Sequence, residues 1–219
     1  MSRGVLYVVW GEAKGLDRSI DSLRQHHPEL PCYVARLGHD ATLLDKATMA
    51  DLTPFDETLF LDADTVVLDR LDYGFEQAAR HGLACAICEA PWARRYPSIR
   101  SDAIEYNTGV LFFTSAARPI FEQWKALNDQ IDSSILFRTP QGVMKMPLND
   151  QAGFALAVET TRFNPFVLPL NWNFRPIWQK SWFGPLKIWH DYSDIPESVL
   201  QRNAEQMDPD ALLEFVRSQ

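Results

Sequence analysis

The chain has no run of basic residues, no apolar stretch of membrane-spanning length and only three cysteines, and each shortage removes a class of protein. Lysine and arginine number 21 against 29 aspartates and glutamates. The resulting formal charge of -8 leaves no excess of cations to neutralise a phosphate backbone, so nucleic acid is not an expected partner. The early apolar run 5–10 is too short for a signal-peptide core and carries no small-residue cleavage site. No segment approaches the length of a transmembrane helix, and a cytoplasmic location is expected. Cys32, Cys85 and Cys88 are an odd set in a chain of 219 residues, which argues for reduced thiols rather than a disulfide framework. Linkers rich in Gly, Ser or Pro, internal repeats and low-complexity tracts are also missing. With 46% apolar residues, the chain is expected to fold as one domain over 1–219 around one core.

What is present alternates. The run 5–10 is continuously apolar and β-branched and stops at Gly11, as a strand buried on both faces does. Leu16, Ile20 and Leu23 predict an amphipathic helix ending before Pro28, and 31–37 a second strand. Leu43, Leu44, Ala47 and Leu52 predict a second helix, and 58–61 a third strand, completing βαβαβ. Further strands are expected at 83–87 and 109–114, for a sheet of about five strands. Ile120, Trp124, Leu127 and Ile131 space a helix opened by Pro119. Asn149 starts a short helix through Ala152, Ala155 and Leu156. The segment 163–190 reads as loops and short strands. Asp208 and Pro209 open a closing helix through Leu212, Leu213 and Val216 within a helical tail at 195–219.

The chemistry concentrates at the end of the third strand. Asp62-Ala63-Asp64 follows an apolar strand at its carboxyl end, where open α/β sheets collect ligands. Two ionised carboxylates so close repel unless a cation lies between them, which favours a hard divalent ion with oxygen ligands. The same turn is also compatible with an Asx-type exit from the strand. It further resembles the first motif of haloacid-dehalogenase-type phosphatases, with Asp62 as nucleophile, Asp64 as acid and Asp191 and Asp194 as the nearest downstream acidic pair.

In chain order, Lys46, Asp62-Ala63-Asp64, Tyr106-Asn107-Thr108-Gly109-Val110, Asn149-Asp150-Gln151 and His190 resemble the motifs of GT-A glycosyltransferases of family 8, the glycogenin and bacterial galactosyltransferase group. The resemblance runs from the first strand to His190. It implies a GT-A-like α/β domain with an open mixed sheet and flanking helices. It also implies transfer of a hexose, with retention, from a nucleoside diphosphate sugar (UDP foremost) to a hydroxyl of a glycan, lipid or protein acceptor. By the resemblance, Asp62, Asp64 and His190 hold Mn2+ or Mg2+, and the Asp62-Ala63-Asp64 turn contacts the nucleotide. Asn107 and Gly109 lie against the donor sugar, Asp150 and Gln151 reach the anomeric carbon as the catalytic pair, and Lys46 contacts the donor. Tyr7, Val8 and Trp10 line the base and ribose pocket.

Each residue also has a plainer reading. Lys46 is otherwise a solvated helix lysine. Asn149 is a helix N-cap with Asp150 in the first turn, and Asn107-Thr108-Gly109 is a turn leading into a strand. His190 by itself is a structural histidine, Val8 a core residue, and Trp172, Trp178, Trp182 and Trp189 core fillers or sugar-stacking platforms. Arg94 and Arg95 face an acidic acceptor or solvent. The chain departs from the family after His190, where Asp191-Tyr192-Ser193-Asp194 replaces a segment with a phosphate-closing lysine; Lys180 and Lys187 are the candidates to substitute. That loss keeps a non-catalytic nucleotide-sugar-binding module among the readings.

Overall fold

A computed structural model describes residues 2–89, 100, 102–139, 142–179 and 181–207. Its centre is a six-stranded sheet in the order β2-β1-β3-β6-β5-β9. These strands are β1 (Arg3–Val9), β2 (Cys32–Arg36), β3 (Glu57–Leu61), β5 (Leu83–Ile87), β6 (Tyr106–Thr114) and β9 (Phe166–Leu168). β1 runs parallel to β2 and β3, and β5 parallel to β9, while β6 runs antiparallel to both neighbours. The sheet is therefore mixed and mostly parallel, one strand larger than expected.

Successive side chains of each strand enter opposite layers, and both layers are apolar. Leu6, Val8, Phe60, Leu111 and Phe113 pack under α2 (Met49–Leu52), α4 (Arg118–Asn128) and α5 (Asp150–Thr161), against Met49, Trp124 and Phe154. Val5, Tyr7, Leu59, Val110 and Phe112 pack under α1 (Leu16–His26) and α3 (Asp72–His81), against Leu23 and Phe75. Covering both faces is why the strands read as unbroken apolar runs rather than alternating ones. Trp124 meets the Phe154 ring edge-on at 4.9 Å, and its indole N–H donates to Asp150 O at 3.1 Å. That bond ties α4 to the first turn of α5.

A smaller antiparallel ribbon pairs β4 (Thr65–Val67) with β10 (Ile188–His190), and β7 (Ile135–Thr139) pairs with β8 (Gly142–Met146) as a hairpin. α6 (Glu197–Gln206) occupies part of the expected tail. The predicted closing helix beginning at Asp208, and Arg94 and Arg95, lie outside the described residues.

Several local readings change. The segment predicted as a helix over 43–52 is a 3-10 turn (Leu43–Thr48) followed by α2, and it starts with a capping box in which Thr42 and Asp45 satisfy one another's backbone. β6 begins three residues earlier than expected, so Asn107-Thr108-Gly109 lies in the sheet and is not a turn. Asn149 does cap α5, accepting from the N–H groups of Gln151 and Ala152. No helix among the described residues is long and apolar enough to cross a membrane.

Candidate functional site

At Leu61 the chain leaves the sheet and reverses through Asp62-Ala63-Asp64 into β4. The reversal is fixed through its backbone. Asp62 N–H donates to Gly109 O at 2.9 Å, and Asp62 O accepts from Thr65 N–H at 3.2 Å and from the Thr65 hydroxyl at 2.8 Å. The Thr65 hydroxyl also meets Ser19 at 2.8 Å, which in turn meets the Tyr7 hydroxyl at 3.1 Å. Tyr7 is 0% exposed and supports the turn from the core, and burial pushes its phenol pKa up. It is not part of the cleft wall, unlike Val8 and Trp10.

The β4–β10 ribbon brings in the third polar group. His190 pairs with Thr65, and Asp191 N–H donates to Asp64 O at 2.9 Å. The imidazole Nδ1–H donates to Asn173 Oδ1 at 2.7 Å, which leaves Nε2 facing the carboxylates, 3.2 Å from Asp64 Oδ1 and 3.7 Å from Asp62 Oδ2. Ligand atoms of Asp62, Asp64 and His190 all lie within 4.8 Å of one another. An imidazole held by a hydrogen bond on its far nitrogen, beside two carboxylates, is the usual donor set of a divalent ion such as Mn2+ or Mg2+. Gly109 makes room for the set: a Cβ there would lie 2.3 Å from His190 Cε1 and 2.7 Å from Asp62 Oδ2.

Lys46 is not solvated. It is 3% exposed, and its ammonium lies 2.9 Å from Asp62 Oδ1 and 3.0 Å from Asp150 Oδ2. Burial alone would depress its pKa, but Asp150 and Asp62 more than offset this and hold it charged. Burial raises the Asp62 pKa, against the pull of Lys46 and His190, whereas Asp64, despite its burial, is held below the usual carboxylate range by His190. Asp62, Asp64 and Asp150 set three carboxylates against the one ammonium of Lys46, an excess of two negative charges. That is the charge of one divalent cation, so the residues present fit such an ion.

Two cavities meet at this cluster. One, of ≈ 320 Å³, is walled by Val8, Trp10, Lys14, Ala63, Asp64 and Tyr192, among others. The other, of ≈ 200 Å³, is walled by Asn107, Asp150, Gln151, Arg175, Trp178 and His190. Asp62 and Leu43 border both. In the second cavity Asp150 accepts the Thr108 hydroxyl at 2.6 Å as well as Lys46. The Gln151 amide nitrogen donates to Glu105 at 2.8 Å and contacts Cys88 Sγ at 3.5 Å, leaving the amide oxygen as the end available to the cavity. Asn107 Oδ1 accepts from Gly109 N–H at 2.9 Å, while its Nδ2 is buried without a hydrogen-bond partner. An unpaired buried amide is costly and marks a donor waiting for a polar group.

The structure therefore brings together Asp62, Ala63, Asp64, His190, Lys46, Asn107, Gly109, Asp150, Gln151, Val8 and Trp10, and leaves Tyr7 behind. Sequence reasoning missed Asn173, Thr108, Glu105 and Arg175, whose roles depend on contacts between distant segments. Trp178 is 44% exposed at the second cavity, whereas Trp172 and Trp189 are core residues. Lys187 is paired with Asp69, and Lys180 lies outside the described residues. The acidic pair a phosphatase would need beside Asp62 is not formed. Asp191 Oδ1 accepts its own turn's Ser193 N–H at 2.7 Å, and Asp194 is exposed, 3.8 Å from Arg18. Cys85 and Cys88 are buried.

No protein-family model and no curated protein matches the chain. Solved structures do match it in fold. The galactosyltransferase LgtC, solved with donor and acceptor sugar analogues, superposes with a TM-score of 0.58 at 12% identity, covering 93% of this chain and 94% of its own. Mouse xyloside xylosyltransferase 1 gives 0.59 at 15% identity, covering 90% of this chain and 100% of its own. The glycosyltransferase GlyE of Streptococcus pneumoniae TIGR4 gives 0.57 at 16%, covering 99% of this chain and 64% of its own. The chain has the GT-A fold.

Proposed function

We propose that this chain is a metal-dependent glycosyltransferase that moves a hexose from a nucleoside diphosphate sugar, UDP foremost, to an acceptor hydroxyl with retention of configuration. The observation that carries the reading is the convergence of Asp62, Asp64 and His190, two negative charges in excess, where two cavities meet at the carboxyl end of β3. Asp62, Asp64 and His190 would hold Mn2+ or Mg2+, with Asn173 fixing the imidazole. When bound there, the ion supplies Lewis-acid stabilisation of the leaving diphosphate.

The chain's own residues divide the remaining work. Val8, Trp10 and Ala63 wall the larger cavity and would receive the nucleoside. In the smaller cavity Asn107 Nδ2 would donate to a sugar hydroxyl, which supplies the partner it lacks. The Gln151 amide oxygen would face the anomeric carbon, with Asp150 held beside it by Lys46 and Thr108. The neighbouring fold supports this reading by analogy, since fold alone does not assign chemistry.

Calorimetry with UDP and other nucleoside diphosphates, with and without Mn2+, tests it on the wild type and on Asp64→Asn. Binding should require the ion and be lost in the variant. Metal-independent binding, or a variant that binds normally, would sink the proposal. Release of UDP from UDP-hexoses then separates an enzyme from a module that binds without turnover.

A further inference from the structure

The carboxylate cluster consumes the charge of a divalent ion completely. Asp62, Asp64 and Asp150 against Lys46 leave a deficit of two, so a single ion neutralises this cluster and leaves the charge of a bound diphosphate uncompensated. The cationic groups near the site are mostly committed. Lys46 is held by two aspartates. Arg175 pairs with Glu89 at 2.7 Å. Arg18 donates to the carbonyl oxygens of Asp191, Tyr192 and Ser193.

Lys14 differs. It is the only lysine or arginine among the described residues walling the ≈ 320 Å³ cavity, in company with Asp62, Ala63 and Asp64. Among the described residues no carboxylate lies within ion-pair distance of its ammonium, which instead stands 5.5 Å from the centre of the Tyr192 ring. The backbone next to it is fixed against the acidic turn. Gly15 has φ +86, and a Cβ there would lie 2.7 Å from Ala63 O and 3.6 Å from Asp64 Cα. Lys14 is thus tethered at the turn that carries the two ion ligands, and Tyr192 follows His190 by two residues.

We infer that Lys14 is the cation that receives the diphosphate of the donor, with Tyr192 holding its ammonium at the cavity mouth until the nucleotide arrives. The inference rests on the reading of the site as a nucleoside diphosphate site. An ammonium is suited to this task because it meets phosphate oxygens as a point charge through charge-assisted hydrogen bonds.

Binding of UDP, UMP and uridine, each with saturating Mn2+, tests this on wild type, Lys14→Gln and Lys14→Arg at two salt concentrations. Lys14 is exposed, so neither change threatens the fold. Lys14→Gln should weaken UDP about tenfold or more, weaken UMP less and leave uridine unchanged, matching the loss of one charge-assisted hydrogen bond. It should also flatten the salt dependence of UDP binding, and Lys14→Arg should restore most of the affinity. Equal weakening of UDP and uridine, or no weakening, overturns the inference while the site reading stands. A wild type that binds no nucleoside diphosphate with Mn2+ overturns the site reading and this inference with it.

Discussion

The Lys46 ammonium is buried between two carboxylates, 2.9 Å from Asp62 and 3.0 Å from Asp150. Helical spacing at 3.6 residues per turn sets Leu43, Leu44 and Ala47 inward and frees Lys46 to solvent. The segment is a 3-10 turn instead, in which residues three apart eclipse. Leu43 and Lys46 therefore share a face, and both border the smaller cavity. The ammonium then becomes the counter-charge of Asp62 and Asp150. Removing one partner of a buried ion pair costs about 3–5 kcal/mol because the other is left uncompensated. Asp62 keeps some access to the cavity, so Lys46→Met should cost about 3 kcal/mol, at the low end of that range. The cost should show as a lower denaturation midpoint in EDTA and shrink when Mn2+ is added. A midpoint unchanged in EDTA would mean that Lys46 does not neutralise the cluster. Asp62, Asp64 and His190 were legible because ordered motifs carry them. Asn173 was not, since an asparagine 17 residues before its histidine has no local signature.

The legible elements are those with an unbroken apolar run, as in β1, β3 and β5, or an amphipathic period, as in α1 and α4. β1, β3 and β5 needed no tertiary information, because a strand buried on both faces advertises itself. The start of β6 was hidden because Asn-Thr-Gly carries turn residues, yet the sheet uses them for the site. Asn107 keeps a free amide for the cavity, Thr108 bonds Asp150, and Gly109 gives space to His190 and Asp62. α3 was not read from the sequence, and its Gly74 lies where a Cβ would meet the Phe112 ring at 2.5 Å. β4 and β10 have three residues each, too few for a period to register, although they bring His190 to Asp64. Gly109→Ala tests the β6 account. The new methyl must displace His190 or Asp62, so Mn2+ affinity should fall by roughly 10–100-fold, as when a ligand loses its orientation. The far-UV circular dichroism should stay that of the wild type. Wild-type Mn2+ affinity in this variant would show that the ion, if bound, does not depend on the His190–Asp62 approach.

At the scale of the molecule, an acidic chain with a cation-sized charge deficit at the end of its central sheet should couple ion binding to stability. A ligand that binds only the folded state stabilises by mass action, about 2.7 kcal/mol at a hundred times its dissociation constant. For a chain of this size each kcal/mol raises Tm by about 2–4 °C. Mn2+ near that excess should therefore raise Tm by roughly 5–10 °C, and UDP bound with it should raise Tm further. The sign of the pH effect follows from Asp62. Burial raises its folded pKa, so acidification by itself favours its protonated form in the fold, whereas the ion needs the carboxylate. The Mn2+-dependent increment should thus shrink as pH falls toward the Asp62 pKa, and it should be absent in Asp64→Asn. A second set of potential ligands, His27, Glu29 and Asp72, provides the internal control. There Arg70 already supplies the cation, donating to Glu29 at 3.0 Å and to Asp72 at 2.7 Å, so no ion is needed. An increment that survives Asp64→Asn but disappears when Glu29 and Asp72 are changed would move the ion to that surface. It would also leave the cleft without the charge on which the glycosyl-transfer reading depends.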